Sequence, residues 1–125
     1  MYYFRVFFFK KIYDMNKIIK ALPTLNYSSN FNFKIDDKFQ NINANKLIEL
    51  NNVRAGSTGH ACMPGCVVQC SNIFHDADNK YLTAALEYET LTMLGSNLGI
   101  DDLDAIARMD RKCDGLGIDT IDTGC

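Results

Sequence analysis

The chain has no stripe of basic residues and no apolar run of bilayer length. Its 125 residues carry 13 Lys and Arg against 15 Asp and Glu, for a formal charge of -2. Nucleic acid is not an expected partner, because phosphate recognition rests on clustered positive charge. The aromatic start, MYYFRVFFF, is broken by Arg5 and falls well short of the roughly 20 apolar residues that span a bilayer, so no transmembrane helix is expected. A secretory signal is also missing from expectation, since Lys10 and Lys11 follow the apolar run where a signal would place its charges before it. These features point to a cytoplasmic protein whose first residues fit a buried strand, a membrane-surface tether or unstructured chain. No internal repeat is visible, and hydrophobic residues at 47% suffice for one domain with a real core.

A closed disulfide framework is disfavoured by number and by placement. There are five cysteines, an odd count, and three of them crowd into HACMPGCVVQC as Cys62, Cys66 and Cys70. Thiols that close together cannot staple distant loops, so metal or redox chemistry is the better reading. Pro64 and Gly65 favour a loop over a helix there. A loop lets thiolates converge on a cluster a few ångströms across while its amide hydrogens point at the sulfurs. Three readings stay open on spacing alone: an iron–sulfur cluster, a zinc ion held by the three cysteines with His60 or His75, and three buried thiols without metal. A four-iron cluster needs a fourth ligand. Cys113 falls on the apolar stripe of a helix and reads as core, and Cys125 is the last residue.

Along the chain, Ile12, Met15, Ile18, Ile19 and Leu22 recur at helical spacing and Pro23 ends that pattern. An Asn-rich stretch with Phe31 and Phe33 follows as extended or irregular chain, leading to a weak helix around residues 43 to 50. SNIFHDADNKYLT predicts a hairpin, with Ile73 and Phe74 on one strand, Tyr81 and Leu82 on the other, and a turn through Asp76 to Asn79. Tyr88, Leu91, Leu94 and Leu98 mark one face of a helix that softens at Gly95 and Gly99. A last helix is expected to start from an Asp101 cap, with Asp102 and Asp104 near the positive end of its dipole. It would turn Leu103, Ile106, Ala107, Cys113 and Leu116 inward and stop at Gly115 or Gly117. The expected fold class is mainly α, with a small β-hairpin after the cysteine loop.

HACMPGC with Cys70, then EYETLTMLGSNLGIDDLDAI, then CDGLGIDTIDTG, preceded by ALPTLNYSS, together resemble the tungsten- and molybdenum-dependent aldehyde ferredoxin oxidoreductases. The resemblance covers residues 21 to 125 and leaves residues 1 to 20 unassigned. It implies a partial chain: the start of the helical second domain of a three-domain enzyme whose first domain cradles a bis-pterin metal cofactor.

By that resemblance, Cys62, Cys66 and Cys70 are ligands of a four-iron four-sulfur (4Fe-4S) cluster whose fourth ligand comes from a third domain. This chain has three residues between its first two cysteines where many family members have two. The pterin-binding motif matches Asp114, Gly117, Ile118 and Asp119, with Ile in place of Leu, and Thr120 follows. On residues alone, the same stretch reads as a glycine helix end followed by an Asp or Thr helix cap. In the family's EYET segment a glutamate lies near metal and substrate; Glu89 is the first choice and Glu87 the second. The implied activity is oxidation of an aldehyde to a carboxylic acid at a tungsten or molybdenum bis-pterin, with electrons leaving through the cluster to ferredoxin or a similar acceptor. Lacking the pterin cradle and the last ligand, the chain is expected to be a fragment without activity of its own. The competing expectation, from another class, is a small zinc-stabilised interaction module.

Overall fold

The structure, a computed structural model, describes residues 40–125. The helix expected over residues 12 to 22 and the extended stretch around Phe31 and Phe33 lie outside the described residues. A 3-10 turn, Gln40–Ile42, leads into α1, Ala44–Val53. Asn43 caps α1 with its side-chain oxygen, which accepts from the Lys46 amide at 2.8 Å. That bond satisfies one of the free donors of the first turn, and the weak helix expected here forms and runs one turn further.

Three short strands follow: β1, Ser57–His60; β2, Ser71–His75; β3, Tyr81–Thr83. They form an antiparallel sheet in the order β1-β2-β3. The β2–β3 hairpin is the expected one. Its turn is closed by Asp76, whose Oδ1 accepts from the Asp78 and Lys80 amides at 2.9 Å each. β1 was not expected, because STGH offers no apolar alternation to read. Among the described residues the fold is therefore mixed α/β, with 46% helix and 14% strand, and not mainly α. Backbone pairing alone builds the extra strand: Ser57 faces Ile73 and Thr58 faces Asn72, then a bulge at Gly59, with φ at 81°, shifts the register so that His60 faces Ser71.

The next helix, α2, covers only Tyr88–Met93 and gives way to a second 3-10 turn, Ser96–Leu98. Gly95 explains the break. A Cβ on it would stand 2.2 Å from Leu91 O and 2.9 Å from Ile106 Cδ1, so the chain can pass this close to its neighbours only as glycine. The helical phase is lost there, and Leu98, expected inward, is 44% exposed.

α3 spans Leu103–Leu116 and ends at Gly117 in the left-handed region, φ 67°. Its cap is Asp102, which accepts from the Asp104 amide at 2.9 Å; the cap expected at Asp101 lies one residue further on. Leu103, Ile106, Ala107 and Cys113 face inward as expected, whereas Leu116 is 73% exposed. The core gathers Leu47, Phe74, Leu86, Leu91, Leu94 and Ile106, all essentially without solvent exposure. Burial of such side chains contributes about 1.5–3 kcal/mol each. Arg54, at the end of α1, fastens the layers: it makes paired bonds to Asp104 at 2.6 and 3.1 Å and lies 5.7 Å over the Phe74 ring. The last element, α4, is a single turn, Thr120–Thr123. Among the described residues no helix is long and apolar enough to cross a membrane.

Candidate metal and cofactor site

The cysteine stretch is the loop that joins β1 to β2. Within it, Cys66 N donates to Met63 O at 3.2 Å across Pro64 and Gly65, and Gly65 has φ at 84°. Proline followed by a glycine of positive φ is the pattern of a type II turn. The turn folds Cys62 back toward Cys66, near enough for each thiol to influence the other's titration. Gln69 then takes a positive φ of 52°, and its amide donates to Cys66 Sγ at 3.4 Å. Cys70, at 9% exposure, receives a backbone hydrogen bond from Tyr88.

Glu87 and Glu89 arrive from the other side. Glu87 is the residue before α2 and Glu89 lies in its first turn. The Cys70 sulfur and one carboxylate oxygen from each glutamate all lie within 4.8 Å of one another. Asn72 makes this approach possible. Its side chain is 1% exposed, and its Nδ2 donates to Cys70 O at 2.6 Å and to Leu86 O at 2.8 Å. One amide group therefore ties the last cysteine to the residue preceding Glu87. Sequence reasoning missed Asn72, because a polar residue at a strand start carries no pattern that distinguishes it from a turn.

The electrostatics follow from these contacts. Burial pushes the Cys70 thiol up, and Glu87 and Glu89 add to the effect against the Tyr88 amide. Lost hydration and then Glu87 push Cys62 up, while the Gln69 amide brings Cys66 down. Burial followed by Glu89 raises Glu87, with the Ser71 hydroxyl acting in the opposite sense. Half-buried Glu87 is thus held nearer to neutrality than an ordinary glutamate, which suits it to proton transfer.

Neither histidine joins the cysteines. His60 Nε2 is 2.7 Å from Ser57 Oγ, and His75 Nδ1 is 2.8 Å from Arg54 O. The two remaining cysteines are also elsewhere: Cys113 is 4% exposed with its Sγ 3.9 Å from Thr123 Oγ1, and Cys125 is exposed. Three thiols in one loop, with amides directed at two of the sulfurs, fit thiolate ligation of an iron–sulfur cluster, since such amides stabilise negative charge on the ligands.

The second candidate region is the turn from α3 into α4. Gly117 ends α3, and Asp119 caps α4 by accepting from the Ile121 and Asp122 amides at 2.7 and 3.1 Å. The glycine end and Asp cap read from the sequence are both present. Both bonds fall on Oδ1 of Asp119, and among the described residues no bond engages its Oδ2. Asp114, Gly117, Ile118 and Asp119 are exposed, so a ligand has access to this turn. Thr120 anchors it, with its hydroxyl 3.0 Å from Thr90 Oγ1 on α2. Gly124 seats the end of α4: a Cβ there would lie 2.6 Å from Met93 O, and Asn97 Nδ2 donates to Gly124 O at 2.6 Å. α2 therefore carries Glu89 in its first turn, with Glu87 just ahead of it, and supports the turn between α3 and α4 along its length.

Comparison with known proteins bears on these two regions together. Residues 10–125 match the family described as aldehyde ferredoxin oxidoreductase, domains 2 and 3. A tungsten-containing aldehyde ferredoxin oxidoreductase of Thermococcus kodakarensis is 39% identical over 59 residues, 47% of this chain and 10% of that protein. One of the same name from Pyrococcus furiosus is 52% identical over 42 residues, 34% of this chain and 7% of that protein. The chain thus matches a tenth or less of the length of these relatives. No solved structure gives a significant match. With its family profile covering nearly the whole sequence, the chain belongs to the aldehyde ferredoxin oxidoreductase family, in the region of domains 2 and 3.

Proposed function

We propose that the chain is the cluster-holding, pterin-contacting part of an oxidoreductase that converts aldehydes to carboxylic acids and passes the electrons to ferredoxin or a similar acceptor. The observation that supports it best is the approach of Glu87 and Glu89 to Cys70, the most buried thiol of the Cys62, Cys66 and Cys70 loop. In this reading the three thiolates hold a four-iron four-sulfur cluster, and the Gln69 and Tyr88 amides offset their charge. Asp114, Gly117, Ile118, Asp119 and Thr120 hold one pterin through exposed carboxylate and backbone groups. Glu89 or Glu87 positions the water that becomes the new acid oxygen and takes a proton from it. A bound tungsten or molybdenum bis-pterin supplies the two-electron chemistry itself, tungsten being the metal in the names of both relatives. Among the described residues no fourth cysteine joins the three, so these 125 residues tested by themselves are expected not to oxidise aldehydes.

Anaerobic reconstitution with iron and sulfide tests the reading. Brown protein with labile sulfide and close to four irons per chain is the expected result. A colourless chain with one zinc, bound by Cys70, Glu87 and Glu89, is the outcome that replaces it with a zinc-stabilised module. Turnover of an aldehyde by the purified chain with an artificial acceptor overturns the claim of inactivity.

A further inference from the structure

Gln69 is the strained residue of the cysteine loop. Its φ is 52°, in the left-handed region that residues with a long side chain rarely enter. Its side-chain Oε1 is buried and has no hydrogen-bond partner among the described residues. Two local costs at one position persist only where the surroundings impose them, and they concentrate where a fold needs a particular backbone direction.

The surroundings act from both sides. Val68 packs against the core, and Cys70 is itself buried, with its carbonyl held by Asn72 Nδ2 at 2.6 Å. With these neighbours fixed, Gln69 cannot return to a negative φ without swinging the peptide that joins it to Val68. That peptide carries the N–H that donates to Cys66 Sγ at 3.4 Å. The strain and the sulfur contact are therefore one feature. A glycine here would reach the same φ freely and leave it as freely, whereas the half-buried glutamine is held.

We propose that Gln69 is a positioning residue, kept left-handed by Val68 and Cys70 so that its backbone N–H stays on Cys66 Sγ and raises the reduction potential of the cluster which that sulfur ligates. A hydrogen bond to a ligand sulfur strengthens as negative charge accumulates there, so it favours the state that holds the electron. The effect needs the amide and its direction, and not the functional group of the side chain. This inference rests on the cluster reading above and concerns a residue to which the family resemblance gives no role.

The test is the midpoint potential of the reconstituted chain, followed by electron paramagnetic resonance with a small thiol present to complete the coordination. It compares the native sequence with Gln69→Gly, Gln69→Val and a chain carrying an ester in place of the Val68–Gln69 amide. The ester deletes the N–H and keeps the side chain. It is expected to lower the equilibrium constant for reduction about fivefold, which is about 40 mV for one electron. Gln69→Gly keeps both the φ and the amide and holds the native potential. Gln69→Val, whose branched side chain resists a positive φ, shifts toward the ester value. That pair decides the matter if the ester chain does not load. An ester chain at the native potential overturns the proposal, and so does Gln69→Gly shifted as far as Gln69→Val, which makes the side chain the determinant. A native chain that takes up no iron and sulfide overturns the cluster reading and this inference with it, whereas loaded variants that all share the native potential overturn this inference alone.

Discussion

Replacing Asp110 with Asn separates the cost of a buried charge from the value of its hydrogen bond, and it does so without any cofactor. Asn has nearly the same shape and its oxygen can still accept from Thr83, but it never ionises. In the native protein burial raises the Asp110 carboxyl from 3.8 to about 6. The folded state therefore holds its proton at pH values where the unfolded chain has released it. Stability from this residue is fully present below about pH 4, falls as pH rises toward 6, and stays low above that. At about 1.4 kcal/mol for each tenfold change in proton affinity, the difference across the window is about 3 kcal/mol. Urea unfolding of the native chain and of Asp110→Asn at matched pH isolates it, because every other titrating group is common to both. Asp110→Asn is expected to match the native chain within about 1 kcal/mol at pH 4 and to exceed it by about 2–3 kcal/mol at pH 7.5. A stability difference that does not change with pH refutes the reasoning. So does an Asn variant weaker than the native chain at pH 7.5, as expected if an unseen cation partnered the carboxylate.

Three further outcomes follow from the geometry. Asn72→Ala leaves Cys70 O and Leu86 O without their buried donor and is expected to cost about 2–4 kcal/mol in urea unfolding and to lower iron uptake on reconstitution. Normal iron content in a folded Asn72→Ala chain would show that this amide does not place the loop. Arg54→Ala breaks the paired bonds to Asp104 and the contact with Phe74 and is expected to cost about 2–4 kcal/mol, with little relief or penalty from added salt because both partners are partly buried. Gly95→Ala drives a methyl against Leu91 O and Ile106 and is expected to destabilise by at least about 2 kcal/mol; thermal melting that leaves the midpoint unchanged contradicts the close approach.

Local signals were legible where one physical rule acted alone. The β2–β3 hairpin could be read because apolar pairs flank an Asp-rich turn, and the turn forms with Asp76 closing it. α3 could be read because its apolar spacing and its glycine end agree. Extrapolating a helical period past a glycine failed twice. Leu98 and Leu116 continue the stripe on paper, but Gly95 breaks one helix for a close contact, and Leu116 closes α3 at its exposed end just before Gly117. β1 was invisible for a different reason. Its residues bury little apolar surface, and it exists because the backbone of β2 needs a partner, which no pattern within STGH announces.

The site was half legible on the same grounds. Clustered cysteines and the glutamates after them are conspicuous residue types, and the structure brings Cys70, Glu87 and Glu89 together. It also separates the two glutamates: Glu87 is half-buried behind Asn72 and beside Ser71, while Glu89 is exposed. Sequence order cannot make that distinction, because it depends on where α2 begins relative to the sheet. The buried Asp110 could have been found, since an acid on an apolar stripe between Ala107 and Cys113 breaks a rule that the rest of the helix obeys. Such a break is tolerated when the surroundings neutralise the group, and the Thr83 hydroxyl alone does not. A proton does below about pH 6, whereas at higher pH the group is ionised in place and its burial costs stability.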